Sequence, residues 1–270
     1  MNSLSKRIKQ LQKPIIGMVH IAALPGSVFF EGSHEDVCDR AVEEAMIIAD
    51  AGFDGVLIQN TGDVPTSHEG DEAVIAFMTA IGLRIKEKCQ IPLGINVLMN
   101  GSKAALAIAK AVDADFVRIK VAVGAVVSST GIVNADPHGY LKFRQNIRAE
   151  SITIFADLYD RTSSPVGNMP IDILADLAIR HGGAEGLILS GFNYQDTLNR
   201  IMSVRQAIKD AYLIAGGFVN SENLESFFNV SDAVIVGSSI KTGGHFLDPL
   251  DHQKAKAFVS QAKQIRQRLI

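Results

Sequence analysis

Two cationic residues and one aspartate carry the clearest indication of chemistry in this sequence. Residues 116–120 read FVRIK, and side chains alternate between the two faces of a strand, so Arg118 and Lys120 share one face. By the same alternation, Asp157 ends the inward face of a later apolar run, residues 152–157. Buried cations need carboxylate partners or a bound anion. The pattern therefore predicts an internal ion pair of Lys120 with Asp157, which serves structure, catalysis or both.

Three further polar residues end the first three apolar runs on the inward face. They are His20, Gln59 and Asn96, and the sequence predicts all three at the rim of a barrel. A lone histidine is commonly a core residue with satisfied hydrogen bonds, whereas a histidine at a strand end can carry protons. Both interpretations of His20 stay open at this point.

Two apolar runs near the C-terminus end in glycine, and they indicate an anion site. Residues 212–217 read YLIAGG, and residues 233–239 read AVIVGSS. Backbone amides in such turns can cradle a phosphate. The predicted phosphate-binding residues are Gly216, Gly217, Gly237 and Ser238, together with Ser190 and Gly191, which end the sixth run. The alternative is a set of tight turns without a ligand, and Lys241 either assists binding or faces solvent.

The loop after the second run contains residue types that bind metals. Asp63, His68 and Glu69 lie there, but their spacing matches neither a helical ligand pair nor a calcium loop. Helix-capping acids explain the loop better, so neither a metal nor a cofactor is predicted. Asp157 and Asp160 do not form a convincing glycosidase pair. The sequence contains no nucleophile elbow, P-loop or paired-cysteine motif.

Eight strand-like runs alternate with eight helical segments, and this alternation positions the candidate residues. The runs begin near residues 15, 54, 92, 116, 152, 186, 212 and 232, and the helices cover 36–51, 71–88, 102–112, 137–149, 170–181, 194–210, 221–228 and 249–269. This pattern predicts one (β/α)8 TIM barrel of the phosphate-binding type over residues 1–270. A doubly wound open sheet is the alternative. The long irregular stretches, 22–35, 61–70, 122–134 and 161–169, all follow strands and so lie at one end.

Composition narrows the class of protein. The 270 residues are 47% hydrophobic and 20% charged, with a net charge of −3, which favours a globular domain without a nucleic-acid partner. Cys38 and Cys89 have no paired spacing, so a reducing, cytoplasmic location is expected. No run is long enough to span a bilayer. The basic residues 1–13 predict a short helical cap at the bottom of the barrel, with a targeting arm as the alternative. A homo-oligomer is expected.

The same residues form a pattern that closely resembles the BtpA/SgcQ family, which is named for a photosystem I biogenesis protein. The resemblance covers nearly the whole chain and rests on these segments: 16–20 (IGMVH), 24–26 (LPG), 54–57 (DGVL), 60–63 (NTGD), 94–98 (GINVL), 114–118 (ADFVR), 236–241 (VGSSIK) and 249–251 (PLD). It implies a phosphate-binding (β/α)8 barrel. Members of the family act in photosystem I accumulation or are encoded in sugar-utilisation gene clusters, so no single reaction is implied.

The chain departs from the common family pattern at the predicted rim. Many members have Glu where this chain has Gln59, Asn where it has Lys120, and a Lys-His pair where it has Arg161 and Thr162. The loss of an acid and a histidine argues against a family-wide acid–base mechanism operating in this chain. The presence of Lys120 indicates a different substrate.

Two functions of different classes follow from these observations. The first is an enzyme that isomerises, epimerises or cleaves a small phosphorylated, sugar-derived metabolite. Lys120 would be the electrophile or a Schiff-base amine, Asp157 or His20 would move the proton, and Arg118, Asn96 and Gln59 would complete the rim. The second is a barrel without catalysis that acts as an assembly or regulatory factor.

Overall fold

Eight parallel strands close into a barrel in the computed structural model, which describes residues 11–269. The barrel strands are β1 (Ile15–His20), β2 (Gly55–Gln59), β3 (Leu93–Asn96), β4 (Phe116–Ile119), β7 (Thr153–Leu158), β9 (Gly186–Leu189), β10 (Leu213–Gly216) and β11 (Ala233–Val236). They neighbour one another in chain order, and β11 pairs with β1 to close the ring. This arrangement confirms the predicted (β/α)8 barrel, and each strand begins within one residue of its predicted start.

Eight α-helices alternate with the barrel strands. They are α1 (His34–Ala51), α2 (Glu72–Lys88), α3 (Ser102–Ala111), α4 (Pro137–Asn146), α5 (Ile171–Arg180), α6 (Tyr194–Ala207), α7 (Leu224–Val230) and α8 (His252–Arg268). Side chains cap several of them, as Ser33 does for α1 and Asp136 does for α4. A three-residue 3₁₀ helix, Ser238–Ile240, follows β11. The predicted cap of residues 1–13 falls largely outside the described residues.

A small antiparallel sheet lies in two loops that the sequence pattern predicted to be irregular. Its strands are β5 (Ala125–Ser128), β6 (Gly131–Asn134) and β8 (Ser164–Pro165). Two valine- and isoleucine-containing runs separated by two residues form the β5–β6 hairpin, and Gly131 follows the turn with a φ of 103°. Because the loops after β4 and β7 share this sheet, the strand ends that carry Lys120 and Asp157 are held together.

The barrel interior is filled by apolar side chains from inward-facing strand positions. They are Ile16, Met18, Leu57, Phe116, Phe155, Ile188, Ile214, Ala233 and Ile235. Gly94 faces the ring of Phe116, and a Cβ on Gly94 would lie only 2.1 Å from a ring carbon. The missing side chain of Gly94 therefore makes the space that Phe116 occupies. Among residues 11–269, no helix is long and apolar enough to cross a membrane.

Gly94→Ala is expected to lower the free energy of unfolding by about 1–3 kcal/mol, because the added methyl group overpacks the barrel interior. Urea denaturation measures the change. The double variant Gly94→Ala/Phe116→Leu removes part of the clashing ring and should recover some of the loss. An equal loss in both variants would show that the contact with Phe116 is not its cause.

Candidate functional site

Three polar side chains form a row across neighbouring strand ends. His20 on β1 is in register with Gln59 on β2, and Gln59 is in register with Asn96 on β3. Each of them has a buried atom without a hydrogen-bond partner among residues 11–269: His20 Nδ1, Gln59 Oε1 and Asn96 Oδ1. Buried polar atoms are rarely left unpaired in proteins. Their occurrence side by side at the carboxyl end of the barrel marks this row as a candidate binding surface.

A charged network continues the row along β4 and β7. Arg118 Nε and Nη2 donate to the two oxygens of Asp157 at 3.1 and 3.0 Å. Lys120 Nζ lies 3.5 Å from Asp157 Oδ2 and 2.5 Å from Asp160 Oδ2. The structure therefore contains the predicted pair of Lys120 with Asp157, but the closer partner of Lys120 is Asp160.

The sequence pattern did not predict Asp160 as a partner of Lys120. Burial by itself raises the pKa of Asp160, but the ion pair with Lys120 and a hydrogen bond from Thr162 outweigh burial. The net result is a pKa well below the usual range for aspartate, so Asp160 is a carboxylate at neutral pH. Its place in the chain, three residues after Asp157 at the start of a strand-end loop, was the available signal.

A cavity of about 50 Å³ lies beside this network. Lys120, Asp157 and Asp160 line its charged side, and Val126 and Pro165 of the small sheet lie on its apolar side. A larger depression of about 530 Å³ lies on the outer surface of α1 beside His252 and includes no residue of the strand-end row. The small cavity is the better candidate for a ligand site, despite its smaller volume, because charged side chains at the strand ends line it.

The glycine loops after β10 and β11 lie next to the same row. A Cβ on Gly237 would be 2.9 Å from His20 Cε1, and a Cβ on Gly217 would be 3.6 Å from Ser190 Cβ. The predicted phosphate loops therefore contact two predicted strand-end residues. The amides of Gly217 and Ser238 donate to no other residue in the described range 11–269. Gly217 also has a φ of 77°, a backbone conformation that favours glycine.

Two of the other predicted phosphate residues have partners inside the protein. The Gly191 amide donates to Thr197 Oγ1 at 2.9 Å, so it is directed at the start of α6. Ser190 Oγ donates to the carbonyl oxygen of Tyr159 at 3.2 Å. Gly216 lies within β10 and is buried. The amides best placed for an anion are therefore those of the loops, at Gly217 and Ser238.

His20 is electrically neutral at physiological pH. Its pKa is lowered to about 3, mainly by burial and in addition by the positive charges of Lys241, Arg118 and Arg161. The ring of Phe246, from the loop after the 3₁₀ helix, meets the His20 ring edge-on with 6.1 Å between centroids. Without a bound ligand, His20 therefore presents a neutral imidazole at the end of the row.

Lys241 neither faces solvent nor reaches the predicted phosphate site. It is fully buried, and its Nζ donates to both oxygens of Glu44 on α1, at 2.9 and 3.2 Å. Burial lowers the pKa of Lys241, and Glu44 opposes that effect. Lys241 therefore ties the strand-end loop after β11 to α1.

Arg161 and Phe218 are further residues at the strand ends that the sequence reasoning did not assign to the site. The Arg161 guanidinium lies over the Phe218 ring, 5.2 Å from its centroid. Within residues 11–269, Arg161 forms no ion pair. Phe218 follows Gly217 with a φ of 58°, which is strained for a residue with a side chain. These features add an available positive charge next to the β10 loop.

The loop with metal-ligand residue types has structural contacts instead. Asp63 accepts a hydrogen bond from the Leu24 amide at 2.8 Å and another from Asn60 Nδ2 at 3.0 Å. His68 Nε2 lies 2.9 Å from the carbonyl oxygen of Thr130, and Glu69 precedes the turn into α2. In the described part of the chain, residues 11–269, no group of three or more His, Cys, Asp or Glu residues could hold a metal ion.

Known proteins resemble this chain in sequence and in fold. MJ1115, an uncharacterized protein of Methanocaldococcus jannaschii, is 32% identical over 256 residues, 94% of this chain and 97% of that protein. The photosystem I biogenesis protein BtpA of Synechocystis is 31% identical over 253 residues, 93% of this chain and 88% of that protein. The N-(5'-phosphoribosyl)anthranilate isomerase from Pyrococcus furiosus has the same fold, with a TM-score of 0.58 and 14% identity, and the match covers 93% of this chain and 99% of the isomerase.

A sequence model of the BtpA family matches residues 11–264 of this chain. The match includes all eight barrel strands and every residue of the strand-end site. Together with the similarity to the Synechocystis protein, it shows that this chain belongs to the BtpA family.

Proposed function

We propose that this chain is an enzyme that acts on a small phosphorylated, sugar-derived metabolite. The observation that carries the proposal is the buried row of His20, Gln59 and Asn96, with one unpartnered polar atom each among the described residues. An unpaired buried polar atom costs about 1–3 kcal/mol. Such a cost at the carboxyl end of a (β/α)8 barrel is typical of a surface that is completed by a ligand.

The neighbouring loops suit an anion. The amides of Gly217 and Ser238 have no acceptor among residues 11–269, and Arg161 adds a positive charge without a carboxylate partner in that range. Backbone amides in turns, reinforced by a guanidinium, bind phosphate well. A phosphorylated ligand would thus lie against the β10 and β11 loops, with its remaining atoms directed to the row.

The reaction we propose is an isomerisation, an epimerisation or an aldol-type cleavage. Lys120 lies between the carboxylates of Asp157 and Asp160, which suits a charged ammonium that polarises a substrate carbonyl. His20 would move the proton, since a phosphate bound at Gly237 would raise its depressed pKa towards that of a useful base.

The comparisons support the type of substrate rather than its identity. The isomerase with the same fold is named for a phosphoribosyl compound, which agrees with a phosphate site between β10 and β11. Because the sequence identity is only 14%, the similarity to this isomerase concerns the fold alone.

A second candidate function is a non-catalytic assembly factor. Arg118 and Lys120 are already paired with Asp157 and Asp160, and the cavity beside them is only about 50 Å³. The Synechocystis relative is named for photosystem I biogenesis, which favours this alternative. A barrel of this kind would not need to bind phosphorylated metabolites.

Thermal unfolding in the presence of ligands distinguishes the two functions. For the enzyme, ribose 5-phosphate or another sugar phosphate at about 100 times its dissociation constant should stabilise the chain by about 2.7 kcal/mol. This corresponds to an increase in Tm of about 5 °C for a chain of this size. Unphosphorylated ribose is the matched control and should give no increase.

The variant Ser238→Pro provides a second control. Proline is tolerated at the first position of a helix and removes the amide N–H there. The increase in Tm with sugar phosphates should become smaller in this variant. If no phosphorylated compound raises the Tm of the unmodified chain, the enzyme proposal is rejected and the assembly factor is favoured.

A further inference from the structure

Gln59 and Asn96 have side-chain amides whose orientation is set by their hydrogen-bond partners. The Thr61 hydroxyl donates its only hydrogen to the backbone carbonyl oxygen of Gln59 at 3.4 Å, and its oxygen accepts from Gln59 Nε2 at 2.8 Å. Asn96 Nδ2 donates to the Arg118 carbonyl oxygen at 2.9 Å, and a carbonyl can only accept. In both residues the amide nitrogen is therefore used, and the amide oxygen is left as an acceptor.

The two amide oxygens belong to register partners on adjacent strands, and both are shielded from water. Gln59 is 8% exposed and Asn96 is 1% exposed, and neither oxygen has a partner within residues 11–269. The residues are register partners on adjacent parallel strands, which lie about 4.8 Å apart. Two acceptors on register partners that share a face can each receive a hydrogen bond from hydroxyl groups of one molecule.

The charges nearby favour a neutral donor over a cation as the occupant. Arg118 and Lys120 lie on the adjacent strand and its end, where Asp157 and Asp160 pair with them, whereas Arg161 has no ion pair among residues 11–269 and is close enough to lower the pKa of His20. A metal ion or an ammonium group at the two oxygens would be repelled by the positive charge of Arg161. The donors that fit are neutral, and the same charge attracts an anion elsewhere on the ligand.

We propose that Gln59 and Asn96 each accept a hydrogen bond from one of two neighbouring hydroxyl groups of the ligand. The substrate is therefore a polyhydroxylated phosphate ester. The inference rests on the proposed function and adds which residues recognise the hydroxyl groups of the sugar part. A ligand without those hydroxyls leaves both buried acceptors unpaired, and sites built around hydrogen-bonded hydroxyls reject such analogues. The Phe246 ring lies edge-on to His20 at one end of the row.

Isothermal titration calorimetry with matched ligand pairs tests this proposal. The pairs are ribose 5-phosphate with 2-deoxyribose 5-phosphate, and glucose 6-phosphate with its 2-, 3- and 4-deoxy analogues, with inorganic phosphate as the reference. In at least one pair the hydroxylated member should bind at least about tenfold more tightly. Gln59→Met and Asn96→Leu should reduce that ratio to about 1, with the affinity for inorganic phosphate changed less than about twofold.

Gln59→Glu separates recognition from a structural role. Glutamate keeps an acceptor oxygen but loses the donor that contacts Thr61, so the preference for hydroxylated ligands should survive if the acceptor is what matters. If Asn96→Leu fails to fold, the Gln59 variants alone test the proposal. Loss of the preference in Gln59→Glu and Gln59→Met alike would assign Gln59 to structure and overturn the proposal.

The remaining outcomes separate this proposal from the proposed function. Two results would overturn the recognition of hydroxyl groups by Gln59 and Asn96 while leaving the proposed phosphate site intact. In the first, sugar phosphates bind but no pair shows tighter binding of the hydroxylated member. In the second, that preference persists in Gln59→Met and Asn96→Leu. If neither inorganic phosphate nor any sugar phosphate binds, the proposed function fails, and the hydroxyl proposal fails with it.

Discussion

Glu44→Ala is expected to lower the free energy of unfolding by about 3–5 kcal/mol. The carboxylate of Glu44 is the partner of Lys241, with contacts of 2.9 and 3.2 Å, and both residues are buried, at 3% and 0% exposure. Removing one member of a buried ion pair leaves the other charge in a region that water cannot reach, and this penalty is larger than the net value of the pair. Chemical denaturation at neutral pH measures the change.

Two variants test the cause of this loss. Glu43→Ala alters the neighbouring exposed acid of the same helix and should change stability by no more than about 0.5 kcal/mol. Glu44→Leu/Lys241→Met replaces the whole pair by apolar side chains and should recover most of the lost stability. If the double variant is as unstable as Glu44→Ala, an unpaired ammonium is not the reason, and the contact between α1 and the β11 loop has another energetic basis.

Stability is also expected to fall as the pH decreases from about 6.5 towards 3, because of His20. In the folded chain the pKa of His20 is about 3, whereas the unfolded chain has the ordinary value of 6.5. Between these values the unfolded chain binds the extra proton, so lowering the pH favours unfolding. Above pH 6.5 the residue is neutral in both states and the effect is absent. At pH 5 the loss from this residue alone is about 2 kcal/mol.

Unfolding free energies at pH 7.5 and pH 5 measure this effect. His20→Asn removes the titrating group, so its loss of stability between the two pH values should be smaller by about 2 kcal/mol. His252→Asn, at an exposed position at the start of α8, should leave the pH dependence unchanged. An identical pH dependence in the His20→Asn variant and the unmodified chain would mean that His20 is protonated in the folded state, and the neutral-imidazole role would be rejected.

Alternation along single strands was sufficient to predict which side chains face inward. Arg118 and Lys120 lie two residues apart, and side chains two apart on a strand share a face whatever surrounds them. The same rule placed Asp157 inward on a neighbouring strand, and the structure has Lys120 3.5 Å from it. The small sheet was missed because each of its three strands is short and the hairpin lies in a segment that reads as a loop. The two residues between its valine-containing runs are typical of a β-hairpin turn.

The sequence alone determined the eight-stranded barrel, the residues that form each strand, and the inward-facing residues at the strand ends. These features follow from local periodicity and strand order. Tertiary structure alone decided the partners of the charged groups. Lys241 is 197 positions from Glu44, and Asp160 lies nearer to Lys120 than the predicted Asp157 does. Such pairings depend on how loops and helices meet in space. The tertiary structure likewise decided that the amide oxygens of Gln59 and Asn96 have no donor among residues 11–269, because donors from other strands and loops could have reached them.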